Sequence, residues 1–264
     1  MSADKYEKLL AIIKKIKRPA VAFSGGVDSS FLLKAAVEAR GKDVVALHAC
    51  SILQKPEELK AARQTAENIG CRLLTFEIDP LAWPEFVSNP SDRCYHCKKK
   101  NYSLFLSSFS GDESISLLDG TNVDDLAQDR PGAKVHLELG VLTPLVDAGF
   151  HKNEIRKMSR DKKMSTWNLY SSSCLATRIP TGNCITTEKL LLVASCENVL
   201  NSLGFFGCRV RLGSKDKVVI LELQEGDFVK LGKPAVRGEL RKTFGSLGIS
   251  KVLLDLSARA GILI

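Results

Sequence analysis

A run of glycines, hydroxyls and one carboxylate stands at Ser24-Gly25-Gly26-Val27-Asp28-Ser29-Ser30, between an apolar stretch and an amphipathic one. Paired glycines allow backbone conformations that other residues avoid, so successive N–H groups can converge on an anion where a helix begins. The helix dipole favours negative charge at the same place. A Walker loop would carry Lys-Ser or Lys-Thr where Asp28 stands. The segment therefore predicts a different phosphate-binding loop, one suited to a pyrophosphate leaving group with a metal ion; a serine-capped turn is the simpler alternative.

Strand and helix patterns alternate through the first half of the chain. The strand-like runs are 20–23, 44–49, 72–78 and 115–118, and helical patterns at 29–39 and 57–69 separate the first three of them. Such alternation predicts an α/β fold with a doubly wound parallel sheet, whose ligands lie at the carboxyl ends of the strands. The loop at 24–30 follows the first strand, the segment 48–51 with His48 follows the second, and the acidic segment 119–125 follows the fourth. We therefore expect these groups to meet at one edge of the sheet.

The acidic segment 119–125 contains Asp124 and Asp125, which could supply Mg²⁺ ligands or polar contacts to a nucleotide. An Asx-rich turn that caps a helix is the alternative for each of these residues. The position of the segment after a strand of the predicted sheet favours a site.

The pattern of the chain changes near Pro180-Thr181-Gly182, where we place a boundary between domains 1–180 and 181–264. The elements expected beyond it are a helix at 187–203, strands at 206–212 and 217–223, helical patterns at 226–231 and 235–244, and a strand at 251–256. This order predicts a smaller C-terminal α+β domain with a mixed or antiparallel sheet. Arg209 and Arg211 lie two apart on a strand, so they share a face and could clamp one phosphate. Exposed surface charges are the alternative.

Eight cysteines occur in the chain, and three of them stand in polar surroundings. Cys94 and Cys97 form a C-x-x-C beside a basic run, and Cys174 lies in a serine-rich loop. The first residues do not resemble a signal peptide, so we expect a cytoplasmic protein with reduced thiols that bind metal or catalyse. Two sites fit the three thiols, a four-iron cluster with one open iron or a Cys₃ zinc site completed by His96. Unconnected thiols are the third possibility.

The net charge of +8 suits an anionic partner, which could be a nucleotide, a phosphorylated small molecule or an RNA. No apolar run approaches the roughly 20 residues that span a bilayer, so no membrane partner is expected.

The loop at 24–30 resembles the PP-loop, SGGxDS, of the ATP pyrophosphatase superfamily. This resemblance implies that ATP is split to AMP and pyrophosphate to activate a carboxyl or carbonyl carbon for a nitrogen or sulfur nucleophile. Three further motifs follow in order: Asn-Pro-Ser-Asp-Arg-Cys94-Tyr-His-Cys97-Lys-Lys, the 119–125 segment, and Cys174-Leu-Ala-Thr-Arg-Ile-Pro-Thr-Gly182. With Leu254-Asp255-Leu256 and Arg259 they resemble the LarE family. Its members are ATP-dependent pyridinium-3,5-biscarboxylic acid mononucleotide sulfurtransferases of nickel-pincer nucleotide biosynthesis.

The resemblance implies ATP and Mg²⁺ as cofactors, a mononucleotide substrate and a homo-oligomer. ATP would adenylate a substrate carboxylate, and sulfur delivered at Cys174 would convert it to a thiocarboxylate. Some members sacrifice this cysteine, whereas members with three cysteines hold a [4Fe-4S] cluster that carries sulfide. Because Cys94, Cys97 and Cys174 are all present, we expect the cluster-dependent reaction, supplied by a sulfide or persulfide donor.

The resemblance also assigns residues to the substrate and the metals. Glu197, Arg209 and Arg211 would contact the substrate, and Asp227 a metal. The expected nucleotide contacts are Ser24, Gly25, Gly26, Asp28, Ser29, Ser30, His48, Asp124 and Asp125. The chain departs from the family pattern at Asn168-Leu169-Tyr170, where a Lys-Pro pair is usual, and in its last residues.

Three other functions share part of this pattern. A tRNA-thiolating PP-loop enzyme would also use a three-cysteine cluster, but it often carries additional zinc-binding cysteine pairs or an RNA-binding module, which this sequence lacks. A nucleic-acid partner is therefore less favoured than a small molecule. An amidotransferase would need an ammonia source, and no glutaminase-like segment is present. A regulatory nucleotide-binding protein with structural zinc is the non-enzymatic alternative.

Overall fold

Four parallel strands form the larger sheet in the computed structural model, which describes residues 2–112, 114–126 and 134–259. The strands are β1 Arg18–Ala22, β2 Val45–Cys50, β3 Arg72–Glu77 and β4 Ile115–Leu118. Their order is β3-β2-β1-β4, with Ala20 of β1 opposite Val45 of β2 and Leu117 of β4. The parallel sheet predicted from the alternating patterns is confirmed.

Helices cover both faces of this sheet. They are α1 Ser2–Lys14, α2 Val27–Arg40, α3 Pro56–Ile69, α4 Pro84–Val87, α5 Arg93–Ser107, α6 Val123–Leu126, α7 Lys134–Leu139, α8 Pro144–Asp147 and α9 Lys152–Asp161. On one face, Val21 and Ala46 pack with α1, α2, α3, α8 and α9. On the other face, Ala20 and Leu47 pack with α5 and α7. The central strands are apolar on both sides because helices bury both faces.

The winding of the chain reverses beside β1, because β2 and β3 lie on one side of it and β4 on the other. Open α/β sheets bind ligands in the crevice at the carboxyl ends of the strands where the order reverses. The loops after β1 and β4 therefore meet where a nucleotide site is expected.

A second sheet of three strands follows in the described part of the chain. Its strands are β5 Arg209–Leu212, β6 Val218–Glu222 and β7 Lys251–Leu254, accompanied by α10 Thr187–Ser202, α11 Asp227–Leu231 and α12 Pro234–Ser246. The strand β6 is antiparallel to β5 and parallel to β7, so the sheet is mixed. β5 begins three residues later than the pattern at 206–212 predicts. Gly207 precedes it with a φ of +71°, outside the extended range of a strand.

The turn at 180–183, where we place the domain boundary, is tied to the larger part of the chain by Asn89. This residue is fully buried, and its Nδ2 donates to the carbonyl oxygens of Pro180 at 2.8 Å and Asn183 at 2.9 Å. Ile179 and Ile185, on either side of the turn, belong to one hydrophobic cluster. The division of the chain near 180 stays a prediction.

Among the described residues, no helix is both long enough and apolar enough to cross a membrane.

Candidate active site

The loop between β1 and α2 has the backbone that its glycines predict. Gly25 has a φ of +80°, and a Cβ at this position would lie 2.9 Å from the Cβ of Ala62 in α3. Only glycine satisfies both the positive φ and the close packing. Gly26 is the N-cap of α2, so the free N–H groups of the first helical turn follow directly.

Serine hydroxyls hold the loop in shape around this helix start. Ser24 Oγ lies 3.1 Å from Ser29 Oγ and accepts from the Gly26 N–H at 3.3 Å. Both serines line a cavity of about 340 Å³ at the carboxyl ends of the strands. Ser30, by contrast, is fully buried in α2 and does not line this cavity.

The loop after β4 closes against the first turn of α2. A Cβ on Gly120 would lie 3.0 Å from the backbone nitrogen of Ser29, so the two loops can approach this closely only with glycine. The cavity thus receives residues from β1, β2, the start of α2, the loop after β4 and α5, as the reversal of winding predicts. The residues that line it are Ala22, Phe23, Ser24, Gly26, Asp28, Ser29, Leu47, His48, Ala49, Gln54, Lys98, Asn101, Tyr102, Phe105, Asp119, Gly120, Thr121 and Asp125.

Asp28 faces this cavity, and Lys152 from the first turn of α9 forms an ion pair with its Oδ2. The other oxygen, Oδ1, is buried and has no hydrogen-bond partner among the described residues. Burial raises the pKa of Asp28, and the charge of Lys152 opposes that shift only in part. A buried carboxylate oxygen beside a phosphate-binding loop fits a magnesium ligand.

The two aspartates of the acidic segment have different positions. Asp125 lines the cavity, with its Oδ2 accepting from the Asn122 N–H at 3.1 Å. Asp124 lies outside the cavity and holds the start of α9, where its oxygens contact His151 Nδ1 at 2.6 Å and the Lys152 N–H at 2.7 Å. The structure therefore brings Asp125 to the predicted site, whereas Asp124 fits the helix-capping alternative.

A buried polar network that the sequence pattern did not predict forms part of the cavity wall. The Tyr102 hydroxyl donates to Asp119 Oδ2, and the Thr121 N–H donates to Oδ1 at 2.8 Å. Lys98 Nζ lies 3.3 Å from Asp119 Oδ2 and 2.8 Å from His136 Nε2. Burial alone would raise the pKa of Asp119, but the contact with His136 and the charge of Lys98 outweigh it, and the pKa lies well below its usual range.

The cysteines of the C-x-x-C motif lie at the start of α5, three residues apart on one side of the helix. Cys97 and Cys174 pack against the same hydrophobic cluster, which includes Phe86. Burial raises the pKa of the Cys97 thiol to about 12, and the nearby Cys174 and Cys94 add to the shift. The three thiols therefore lie close enough to influence one another electrostatically.

No group of three or more His, Cys, Asp or Glu side chains in the described ranges is close enough to hold a metal ion. His96, the candidate fourth zinc ligand, has its Nε2 3.4 Å from an oxygen of Asp92. Asp227 lies at the first residue of α11, where Cys208 Sγ approaches its Oδ2 to 3.2 Å. The structure brings the three predicted cysteines into one neighbourhood and does not add Asp227 to a metal site.

Arg209 and Arg211 both contact the segment that contains Cys174. The Arg209 guanidinium donates to the Ser171 carbonyl at 3.1 Å, and Arg211 donates to the Thr177 carbonyl at 2.5 Å. Arg211 also pairs with Glu222 on the neighbouring strand. The paired arginines predicted from the spacing thus border the Cys174 segment.

Two further arginines join this group. Arg178 Nη1 donates to Ser173 Oγ at 2.7 Å, and Arg259 Nη2 donates to the Ser171 carbonyl at 3.2 Å. Burial lowers the pKa of Arg209 to about 10, and the charges of Arg178 and Arg259 contribute. We call Arg178, Arg209, Arg211 and Arg259 the arginine cluster; this concentration of positive charge beside Cys174 suits a phosphate or carboxylate group.

Glu197 is buried in α10, where it pairs with Arg178 Nε at 2.8 Å and Lys55 Nζ at 3.0 Å. Burial alone would raise the pKa of Glu197, but these two charges outweigh it and lower the pKa. In the structure Glu197 orients a member of the arginine cluster, and its predicted contact with substrate would have to compete with these ion pairs.

Comparisons with known proteins agree with this geometry. The NAD synthase family model matches residues 12–101, which include the glycine-rich loop and the C-x-x-C motif. A pyridinium-3,5-bisthiocarboxylic acid mononucleotide synthase of Lactiplantibacillus plantarum is 32% identical over 96% of this chain and 91% of its own. An uncharacterized protein of Synechocystis is 33% identical over 97% of this chain and 95% of its own. The chain belongs to the LarE family of PP-loop sulfurtransferases.

Proposed function

We propose that this enzyme adenylates a carboxylate of pyridinium-3,5-biscarboxylic acid mononucleotide and converts it to a thiocarboxylate, a step of nickel-pincer nucleotide synthesis. The observation that best supports this proposal is the double role of α5. Its Lys98 and Asn101 line the nucleotide cavity, while Cys94 and Cys97 on the same helix lie beside Cys174. A carboxylate activated in the cavity would therefore form close to the thiols.

In the adenylation step, a carboxylate oxygen of the substrate attacks the α-phosphorus of ATP, and the bond to the pyrophosphate oxygen breaks. The backbone N–H groups at the start of α2, with the hydroxyls of Ser24 and Ser29, would hold the departing pyrophosphate. Asp28 and Asp125 would hold Mg²⁺, which neutralises charge on the leaving group.

In the sulfur-transfer step, a sulfur nucleophile attacks the carbonyl carbon of the acyl-adenylate and AMP leaves with the bonding electron pair. Cys94, Cys97 and Cys174 would hold a [4Fe-4S] cluster, which supplies an open iron able to carry sulfide. Two observations support this ligand set. Cys97 and Cys174 pack against the same hydrophobic core, and Cys94 and Cys174 are both near enough to Cys97 to raise its pKa. Sulfide would be the donor, or a persulfide whose S–S bond is cleaved by a second thiol as reductant, and a cytoplasmic homo-oligomer would be the working form.

The direct test supplies anaerobically purified protein with ATP, Mg²⁺, sulfide and the mononucleotide. We expect AMP and pyrophosphate in equal amounts, and a product whose mass reflects exchange of one carboxylate oxygen for sulfur. Omitting the mononucleotide should stop AMP formation. AMP release that requires tRNA instead of the mononucleotide would contradict the proposal and favour a tRNA-thiolating enzyme.

Substitution of the strand arginines tests where the substrate binds. Because Arg209 and Arg211 border the Cys174 segment, where the mononucleotide would bind, replacing either with alanine would remove a charge-assisted hydrogen bond to its phosphate, worth about 1.5–3 kcal/mol. The apparent affinity for the mononucleotide should fall at least about tenfold, while the affinity for ATP changes little. Arg241→Ala, an exposed position on α12, is the control. Normal substrate affinity in both strand variants would place the phosphate elsewhere.

A further inference from the structure

Asn101 lies on α5 between the thiols and the nucleotide cavity. Its Nδ2 donates a hydrogen bond to Cys97 Sγ at 3.7 Å, and the residue lines the cavity. Burial raises the pKa of the Cys97 thiol, and the hydrogen bond from Asn101 opposes that shift. The amide group of Asn101 therefore has one end held by Cys97 and the other end left for a different partner.

The contact with Cys97 decides which end of the amide is left. Cysteine binds a metal as a thiolate, which has no hydrogen to donate and so accepts one from Nδ2. The oxygen at the other end of the amide, Oδ1, is then turned away from Cys97. An amide oxygen only accepts hydrogen bonds, so Oδ1 needs a donor.

Oδ1 is buried and has no hydrogen-bond partner among the described residues. A buried acceptor without a partner costs free energy, and in native proteins such a group usually marks a ligand, an ion or a water. Since Asn101 lines the cavity, a molecule bound there can supply the missing donor.

The chemistry of ATP limits which of its atoms can be that donor. The phosphate oxygens of ATP bound to Mg²⁺ carry no hydrogen, whereas the ribose hydroxyls and the exocyclic amino group of adenine do. The helix α2, whose first turn would hold the phosphates, packs on one face of the sheet, and α5 packs on the other. Asn101 therefore approaches the cavity from the side opposite to α2, where it can meet the ribose or the base of a nucleotide bound by its phosphates.

We propose that Asn101 recognises the nucleoside part of ATP, with Oδ1 accepting a hydrogen bond from a ribose hydroxyl or from the adenine amino group. Because Nδ2 of the same amide holds Cys97, the side chain joins the nucleotide site to a thiol of the sulfur-transfer step. This inference rests on ATP as the nucleotide of the proposed function.

Three ATP analogues, 2′-deoxy-ATP, 3′-deoxy-ATP and purine riboside triphosphate, each lack one of the possible donors. Their binding is compared with that of ATP by calorimetry, with Mg²⁺ and without the mononucleotide. In the natural protein we expect at least one analogue to bind about tenfold more weakly than ATP, and the missing group of that analogue identifies the donor.

Two substitutions at position 101 test whether Asn101 causes this difference. Asn101→Leu removes the acceptor, so that analogue and ATP should bind equally. Asn101→Asp keeps acceptor oxygens and should keep the difference. ATP and its analogues have the same charge, so the charge that aspartate adds cancels when they are compared within one protein. Asn68→Leu, the same change at an exposed position on α3, is the control and should behave as the natural protein does.

Equal binding of ATP and all three analogues by the natural protein would overturn the inference without any variant. A difference that persists in Asn101→Leu, or that also disappears in Asn68→Leu, would assign the donor contact to another residue and overturn it as well. Failure of the natural protein to bind ATP would overturn the proposed function itself.

Discussion

Replacing Asp28 with asparagine is expected to slow ATP-dependent pyrophosphate release by about 10²- to 10³-fold, the usual effect of removing one group that stabilises charge in a transition state. Asp28 belongs to the phosphate-binding loop and pairs with Lys152, and its Oδ1 has no hydrogen-bond partner within the described ranges. Asparagine has nearly the same shape but no charge, so it would bind Mg²⁺ weakly and leave Lys152 unpaired. Pyrophosphate release under saturating ATP and mononucleotide is the measurement.

Asp124→Asn provides a matched control for this prediction. Asp124 stands in the acidic segment that sequence alone assigns to the nucleotide, but it caps α9 outside the cavity. Its loss should cost about 1 kcal/mol of stability, measured by thermal unfolding, and leave most of the activity. Equal loss of activity in both variants would show that the start of α9, and not the Asp28 carboxylate, is what pyrophosphate release requires.

The sheet and the nucleotide edge could be predicted because their signals are local. An apolar run such as 20–23 followed by Ser-Gly-Gly indicates a buried strand that ends at a turn. In a parallel sheet, the strand direction then fixes the edge at which that turn lies. The same reasoning placed His48 and the 119–125 segment beside the loop. It could not distinguish Asp124 from Asp125, because which of two adjacent aspartates faces a cavity depends on how α9 docks.

The network around Asp119 was missed because its partners are far apart in the sequence. Tyr102 precedes Asp119 by 17 residues, and His136 and Lys98 are 38 residues apart. Lys98 belongs to a basic run that looks like a solvated helix surface, yet its charge helps to hold the pKa of Asp119 low. Only the packing of α5 and α7 on the same face of the sheet brings these groups together.

The contacts of Arg178, in the C-terminal half of the chain, could not be predicted from the sequence pattern either. The spacing of Arg209 and Arg211 on a strand predicted a shared face, whereas Arg178 lies in a short 3₁₀ turn, Leu175–Arg178, with no periodic signal. Its guanidinium reaches both Glu197 and the Ser173 hydroxyl. A buried ion pair contributes little net stability but is costly to break, so Glu197 is better explained by the orientation of Arg178 than by stability alone.

Alanine variants of the three cysteines distinguish sacrificial from cluster-dependent sulfur transfer. We expect the cluster-dependent outcome, in which every one of the three variants is inactive. If the thiolates of Cys94, Cys97 and Cys174 hold one cluster, loss of any ligand removes iron, so each alanine variant should lose its iron, its brown absorbance and sulfide-dependent turnover. If Cys174 alone donates sulfur, Cys94→Ala and Cys97→Ala should each retain a single turnover. Iron content, absorption spectra and thiocarboxylate formation are measured in protein kept free of oxygen.

Cys184→Ala is the control for this series, because this thiol is exposed and is not among the thiols that shift the pKa of Cys97. It should keep both its iron and its activity, which would show that removal of an arbitrary thiol is harmless. The packing of Cys97 and Cys174 against one hydrophobic cluster means that their alanine variants can also be compared by thermal unfolding, so that loss of iron is separated from loss of fold. A folded Cys94→Ala or Cys97→Ala protein with full activity, or full activity in iron-free protein, would return this chain to the sacrificial class.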